Sequence, residues 1–482
     1  MRVALPALLR RGHISRSSMS GAACNGQRQR VPIPFVDRLD PHEAPRVTHV
    51  GKSGGLAHVA CRFLGTVRAS RRASLHAGPP VEATRTAHEF SMRVVFVNKF
   101  VHVTGGADQH CLGLAAALRA RGHEVRFLSS RGDENVEQEG AFVTTRVTHG
   151  SRESLSVVEQ TRVLTNALWN PEAASAMERL VHEFRPDVVH AHKLYPQLSV
   201  APVVVAARHR LPVVQTLHDF ELISASLLDV RGGRLDRDET AFRFRLLNGA
   251  TLPVRRRVHV NRVSAFVAVS RFVARVYATH GIVAEVLPNF VPARERHGRV
   301  EFEDRDGVVF WGRLRPEKGV DDVIEMAKLL PGHSVVIAGS GMLENHVRRE
   351  TASLPNVHVA GYVSDDQLDE IVRTARVVVV PSRCHDAGPL VPLEALGHGT
   401  PVVAYANGGL AEYVIDTGGG RVVPVDPEAL AAVAAELHDD KDTWESHSSR
   451  GHATVSESRT PDSYAARLEE IYDRVRSDAR HA

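Results

Sequence analysis

The chain has 482 residues, 43% of them hydrophobic and 24% charged, and its formal net charge is +4 at pH 7. This length allows two or three domains, and the composition is ordinary for a globular protein. No apolar run approaches the roughly 18 residues that a membrane-spanning helix needs. The four cysteines are scattered without a C-x-x-C pair, which indicates a reducing, cytoplasmic setting and no cysteine metal cluster.

The first 91 residues differ in character from the rest of the chain. They contain 14 Lys and Arg against 5 Asp and Glu, whereas the remainder contains 46 against 51. The net positive charge of the chain therefore comes from its first 91 residues, and we expect no nucleic-acid partner. Because residues 1–91 lack a sustained helical or strand period, we predict that they are disordered or translated from an upstream start. An Arg-rich transit peptide is the alternative.

From Met92 onward, short apolar strands alternate with helical stretches. The first strand leads into the loop "VHVTGGAD", which contains Gly105 and Gly106 and precedes an amphipathic helix. Glycines let the backbone approach a ligand closely, and the free N–H groups of a following helix favour phosphate. A plain tight turn is the alternative.

Two later strands end in histidines. His190 and His192 in "HAHK" lie on the same face of a strand, a spacing that can bind a metal. No third ligand is evident nearby, so a polar strand end is the better interpretation. In "QTLHDF", His218 and Asp219 are predicted at the rim of the first domain. There His218 could hydrogen-bond a sugar hydroxyl or assist a nucleophile, or it could be structural.

A Pro- and charge-rich break between Val286 and Gly307 separates two series of strands. Nearly all-apolar strands alternating with helices predict parallel sheets that are buried on both faces. We therefore predict an α/β protein with two Rossmann-like domains, residues 92–286 and 287–460, that face a central cleft. An amphipathic helix within residues 461–482 is predicted to follow the second domain.

The second series carries a basic loop. In "WGRLRPEKG" a strand is followed by Arg313, a turn and Lys318, and then by a helix. Arg313 offers a fork of donors and Lys318 a point charge, which together could clamp a diphosphate and neutralise a departing anion. Solvated loop residues are the alternative. The stretch "AGSG", which contains Gly339, lacks the third glycine of a dinucleotide-binding fingerprint. A nicotinamide-dependent enzyme is therefore not favoured.

The stretch "CHDAGPLVPLE" places Asp386 in a loop and Glu394 about one turn into the following helix. The helix start between these carboxylates suits an extended ligand with hydroxyls at Asp386, phosphates in the middle and a ribose diol at Glu394. A metal site formed by Cys384, His385 and Asp386, or a glycosidase-like carboxylate pair, is less favoured.

These motifs, in this order, resemble glycosyltransferase family 4, the retaining enzymes of GT-B fold that transfer a sugar from a nucleotide-sugar donor. The resemblance runs from Met92 to the C-terminus and implies GT-B architecture, with the C-terminal helix crossing back to the first domain. It implies a hexosyltransferase of polysaccharide or glycoconjugate biosynthesis that needs no metal or other cofactor. The implied catalytic residues are His218, Arg313, Lys318 and Asp386. The implied donor-binding residues are Gly105, Gly106, Gly339, Leu390, Val391, Glu394, Asn407, Gly408 and Gly409.

The sequence departs from the family pattern in three places. Asp386 replaces the usual Glu, and Asp108 stands where a Glu is frequent. Pro389 lacks an N–H, so phosphate contacts there would come from Leu390 or Val391. These departures leave the donor sugar open, although a UDP- or GDP-sugar is expected. A catalytically silent nucleotide-sugar-binding protein and a GT-B epimerase or phosphorylase are the alternatives.

The acceptor is also open, and a glycan, a lipid-linked molecule or a small molecule would each be compatible. The stretch Phe242–Arg262 is basic with interspersed apolar residues and includes Arg255, Arg256 and Arg257. These arginines could rest on anionic lipid at the inner face of the membrane. A solvated basic face is the alternative.

Overall fold

The computed structural model of the protein describes residues 91–132, 135–137, 139–144, 165–224, 239–291 and 299–481, with backbone alone for residues 239–248. The predicted N-terminal extension, apart from its last residue, lies outside the described residues.

The first sheet has seven parallel strands in the order β3-β2-β1-β4-β5-β6-β7. Its strands β1 to β7 are Arg93–Val97, Glu124–Ser130, Gly140–Val143, Val188–Ala191, Val213–Leu217, Ala265–Ala268 and Glu285–Val286. The helices α1 to α5 are Gly106–Ala120, Pro171–Phe184, Ala201–Arg208, Glu239–Arg262 and Arg271–Ala278. The central strands are continuous apolar runs because helices cover both faces of the sheet.

The second sheet has six parallel strands in the order β10-β9-β8-β11-β12-β13. Its strands β8 to β13 are Val308–Trp311, Val335–Ala338, Val357–Gly361, Val377–Val380, Val402–Tyr405 and Gly420–Val423. The helices α6 to α13 are Val320–Leu329, Glu344–Glu350, Asp365–Thr374, Val391–Gly397, Gly408–Thr417, Pro427–Asp439, Lys441–Ser458 and Pro461–His481.

Both sheets share the doubly wound strand order, in which the direction of winding reverses beside the first strand. The reversals fall between β1 and β4 and between β8 and β11. At such a reversal the loops at the carboxyl ends of the strands diverge and leave a crevice that binds ligands. The prediction of an α/β protein with two Rossmann-like parallel sheets is confirmed.

The C-terminal helix α13 returns to the first sheet. Its buried face packs in one apolar cluster with strand β1 and helix α1, where Tyr472 and Leu468 lie with Phe96 and Leu114. Each such side chain contributes roughly 1.5–3 kcal/mol when it leaves water. The predicted crossing of the C-terminal helix to the first domain is confirmed.

Helix α4 contradicts part of the membrane prediction. Arg255 is 1% exposed, and its guanidinium lies 4.5 Å from the ring centroid of Tyr195. Arg256 donates a hydrogen bond to the backbone oxygen of His280, and Arg257 is exposed. The proposed lipid contact is therefore wrong for Arg255, because its charge faces the protein interior.

Among the described residues, no helix combines the length and apolar character required to cross a membrane.

Candidate active site

The residues that the sequence singled out gather at the carboxyl ends of the two sheets. In the first domain Gly105 follows β1 and His218 follows β5. In the second domain Lys318 follows β8 and Asp386 follows β11. Parallel strands bring these loops to one edge of each sheet, which is the edge where open α/β sheets bind ligands.

Lys318 and Asp386 form an ion pair at the centre of the second-domain edge. The Lys318 Nζ lies 2.9 and 3.0 Å from the two carboxylate oxygens. Burial acts to lower the pKa of Lys318, but the Asp386 carboxylate outweighs it and the pKa is raised. Burial likewise acts to raise the pKa of Asp386, but Lys318 and a hydrogen bond from Ser382 lower it. Both groups are therefore charged at neutral pH.

The turn that presents Lys318 requires a glycine. Gly319 has φ 71°, in the left-handed region, and a Cβ there would lie closer than 3.0 Å to the backbone oxygen of Pro381. A side chain would therefore be strained and would also push the turn away from the end of β11. Glycine allows the Lys318 turn and the Asp386 loop to lie against each other.

Cys384 and His385 do not converge with Asp386 on a common point. The Cys384 Sγ lies 3.5 Å from the Asp386 Oδ1, and burial raises the pKa of this thiol to about 12. The His385 ring instead stacks on Phe272 of the first domain with a centroid distance of 5.4 Å. Cys384 is thus a protonated neighbour of the carboxylate, and His385 is a contact across the cleft.

Glu394 and the two loop glycines meet where the domains approach each other. The Glu394 Oε1 accepts a hydrogen bond from the Gln109 Nε2 of helix α1 at 3.1 Å. A Cβ on Gly106 would lie 3.4 Å from the Leu390 side chain, whereas no atom lies within 4 Å of the Cβ position of Gly105. The structure therefore brings Gly105, Gly106, Leu390 and Glu394 together, as a single extended ligand would require.

Asn407 and Gly409 hold the Asp386 loop in place through hydrogen bonds to its backbone. The Asn407 Nδ2 donates to the backbone oxygen of Ser382 at 3.0 Å, and the Gly409 N–H donates to the backbone oxygen of Asp386 at 2.7 Å. Gly408 also packs against the backbone of Asp386. These residues hold the loop that carries the carboxylate.

Arg313 and Gly339 lie beside the Lys318 turn. Arg313 is exposed, and its positive charge acts against the protonation of Lys318. The Cβ position of Gly339 lies against the backbone of Gly312, so the ends of β8 and β9 approach closely. Val391 is the first residue of helix α9, next to Leu390.

His218 is half-buried on the first-domain side. Its Nε2 lies 3.0 Å from the Nδ1 of His192. Burial, with further contributions from neighbouring positive charges, holds the pKa of His218 well below its usual range, so the ring is neutral at pH 7. Asp219 does not orient it, because the Asp219 carboxylate pairs with Lys193 at 2.8 Å.

His190 and His192 have different roles. Both ring nitrogens of His190 are occupied, Nδ1 by the Tyr472 hydroxyl at 2.6 Å and Nε2 by the Thr216 hydroxyl at 2.8 Å. His190 is thus a satisfied core residue. His192 instead groups with His218 and with His110 of helix α1. His110 was missed by the sequence interpretation because it lies inside an amphipathic helix pattern.

Contacts to the loop after Asp386 from the first domain and from the segment that links the two sheets were also missed. The Ser270 hydroxyl donates to the backbone oxygen of Ala387 at 2.6 Å, and the Asn289 Nδ2 donates to that of Gly388 at 2.7 Å. Both acceptors belong to the loop that follows Asp386. Ser270 of the first domain and Asn289 of the segment that links the two sheets therefore help to fix the loop of the second domain.

Two family models match adjacent parts of the chain. A model of "Glycosyltransferase Family 4" matches residues 104–295, and a model of "Glycosyl transferases group 1" matches residues 293–453. Glycogen synthase of Mycobacterium tuberculosis is 28% identical over 360 residues, which are 70% of this chain and 83% of that protein.

Two solved structures share the fold. Sucrose-phosphate synthase from Thermosynechococcus elongatus superimposes with a TM-score of 0.57 at 17% identity, over 80% of this chain and 100% of that one. Anabaena Alr3699/HepE in complex with UDP-glucose superimposes with a TM-score of 0.53 at 16% identity, with the same coverage. The protein is a glycosyltransferase of GT-B fold. Within that class, the chain belongs to glycosyltransferase family 4.

Proposed function

We propose that this protein transfers a sugar from a UDP- or GDP-sugar to a glycan, lipid-linked or small-molecule acceptor, with retention of anomeric configuration and without a metal. The observation that carries the proposal is the Lys318–Asp386 ion pair in the cleft, with Glu394 and the glycine loop beside it. A donor is supported further by the fold neighbour Alr3699/HepE, which was solved with UDP-glucose.

The proposed mechanism uses the charges of the second domain. When the bond between the sugar C1 and the phosphate oxygen breaks, its electron pair leaves on the diphosphate. Lys318 and the exposed Arg313 stabilise this charge. The acceptor hydroxyl attacks C1 from the same face and passes its proton to the departing phosphate. Asp386 holds sugar hydroxyls, and the neutral His218 ring hydrogen-bonds the sugar from the opposite wall.

Glu394 is proposed to accept hydrogen bonds from the ribose hydroxyls of the donor. Replacing Glu394 with Ala should weaken UDP binding by about 10- to 100-fold, because a charged hydrogen-bond acceptor contributes roughly 1.5–3 kcal/mol. Isothermal titration calorimetry with UDP and 2′-deoxy-UDP tests the assignment. The wild type should prefer UDP, and Glu394→Ala should bind the two ligands nearly equally. An undiminished preference in the variant would contradict the ribose role.

Gly105 is proposed to lie against the donor diphosphate. Its φ of 172° is open to any residue, and no protein atom lies within 4 Å of its Cβ position. Gly105→Ala should therefore fold with an unchanged melting temperature, yet raise the Kd for UDP by about tenfold, because the methyl group would displace the ligand. Unchanged UDP affinity in the folded variant would place the diphosphate elsewhere.

A donor screen tests the function as a whole. The full chain is incubated with UDP-, GDP- and ADP-sugars, with and without EDTA, and free nucleotide is measured alongside the anomeric configuration of the product by NMR. We expect turnover of a UDP- or GDP-sugar that EDTA does not reduce. Tight donor binding without turnover would indicate a silent binding protein. Turnover that depends on inorganic phosphate would indicate a phosphorylase.

A further inference from the structure

We propose that His110, His192 and His218 form a binding site for a zinc-class transition-metal ion, and that its occupancy inhibits sugar transfer. The inhibition rests on the proposed function of His218, whereas the binding itself does not. The three residues come from helix α1 and from the loops that follow β4 and β5, so they meet at the carboxyl edge of the first sheet.

The positions of the three rings suit a tetrahedral ion. One ring nitrogen from each residue lies within 4.8 Å of the other two. The ring centroids are 5.0 Å apart for His110 and His218, 5.3 Å for His192 and His218, and 6.1 Å for His110 and His192. Zinc–nitrogen bonds of about 2.0–2.1 Å, extended by the radius of an imidazole ring, place tetrahedral ligand rings about 5 Å apart. Closing the site requires side-chain rotations that bring the three nitrogens nearer to one another and replace the hydrogen bond between His192 and His218 with bonds to the metal.

His110 points to a ligand because its polar atoms have no partner. It is 0% exposed, and both its ring nitrogens are buried without a hydrogen bond. His192 is 1% exposed, and its Nε2 is also buried without a hydrogen-bond partner. A buried nitrogen without a partner costs roughly 1–3 kcal/mol, and such atoms are uncommon in folded proteins. A metal ion that accepts one lone pair from each ring would remove this cost at one His110 nitrogen and at the His192 Nε2.

The chemistry of the three ligands selects the class of ion. Neutral imidazole suits zinc, copper, nickel and cobalt, whereas magnesium prefers oxygen ligands. His218 is half-buried, so an ion could reach the site from its side. With three protein ligands, the fourth coordination position of the ion would remain open to water.

Occupancy and sugar transfer compete for one side chain. A lone pair of His218 that is committed to a metal ion can no longer accept a hydrogen bond from the donor sugar. By mass action, zinc at ten times its Kd leaves about one-eleventh of the protein free. Turnover of the wild type should then fall by about elevenfold.

Two observables test the proposal on the full, untagged chain. The first is titration with Co²⁺ alone, since cobalt bound tetrahedrally by nitrogen ligands absorbs visible light, followed by displacement with Zn²⁺. The second is inhibition of donor turnover by Zn²⁺, with Mg²⁺ as the comparison. The first needs no substrate, so it decides the binding site even if the proposed transferase activity were to fail.

The informative variant is His110→Phe. The His110 ring lies 4.7 Å from the Phe290 ring and 4.9 Å from the Tyr464 ring, so a second aromatic ring of similar shape suits the position. The variant should lose the cobalt absorption and show less than about twofold inhibition at the zinc concentration used above. The conservative His110→Gln, which keeps polar atoms but is a poor zinc ligand, provides the same test if the Phe variant does not fold.

The matched control is His182→Phe, because His182 belongs to an exposed group with Glu178 and His209 that could bind zinc at the surface. This control should keep both the cobalt absorption and the inhibition. Absence of a cobalt band in the wild type would overturn the site. Equal inhibition of the wild type and His110→Phe would overturn the role of the histidine cluster in inhibition.

Discussion

Replacing Lys318 with Gln should reduce donor turnover by about 10²- to 10³-fold. This is the usual effect of removing one preorganised group that stabilises a developing anion. The ammonium group lies 2.9 Å from the Asp386 Oδ1 and is held there before any donor arrives. A glutamine is one bond shorter, but it removes the charge while keeping N–H donors that face the same carboxylate. The loss would therefore report the missing charge more than a collapsed loop.

The kinetic constants separate a transition-state role from simple donor binding. If Lys318 acts on the departing diphosphate, kcat should fall further than the affinity for UDP-sugar. Lys328→Gln is the control, because this exposed lysine lies on helix α6 and pairs with Glu325 on its own helix. Full turnover by the Lys318 variant, or an effect confined to KM, would remove Lys318 from the mechanism.

The fold was predictable because its strands are apolar runs and its turns are marked by glycine and proline. "VVFV", "VVIA" and "VVVV" correspond to β1, β9 and β11, and their burial on both faces follows from the parallel arrangement. The enzyme class was predictable for a different reason. The motifs that resemble the family occur along this chain in the order and at the spacing that are typical of the family.

Helix α4 shows where the pattern was misleading. Thr251, Arg255 and His259 recur every four residues and are all buried, so the inward face of this helix is polar. The two ring nitrogens of His259 are bonded to Gln215 and to the Tyr195 hydroxyl at 2.6 and 2.8 Å. A hydropathy pattern assigns such residues to the solvent-exposed face. It cannot show that the adjacent strand and loop carry hydrogen-bond partners for them.

The histidine cluster could not be predicted for a related reason. His110, His192 and His218 are far apart in sequence: His110 lies in helix α1, whereas His192 and His218 directly follow β4 and β5. Their convergence depends on β1, β4 and β5 being neighbours in the sheet. That neighbour relation follows from the strand order, which a single sequence does not specify.

Gly409→Ala should disable the donor site through packing alone. A Cβ on Gly409 would lie closer than 3.0 Å to both the backbone oxygen of Ala387 and the hydroxyl of Ser270. That hydroxyl already donates to the same oxygen, and the Gly409 N–H donates to the backbone oxygen of Asp386. The methyl group must therefore displace the loop that carries the carboxylate.

The expected result is a loss of about 1–3 kcal/mol in the free energy of unfolding, typical of overpacking, together with a loss of UDP affinity and turnover. Gly332→Ala is the control, because no atom lies within 4 Å of its Cβ position. It should leave UDP affinity unchanged and cost no stability, since an alanine there restricts only the unfolded chain. Thermal unfolding and UDP calorimetry on both variants measure the difference. Wild-type UDP affinity and turnover in Gly409→Ala would contradict this prediction. The position of the Asp386 carboxylate would then not depend on the close packing of helix α10 on its loop.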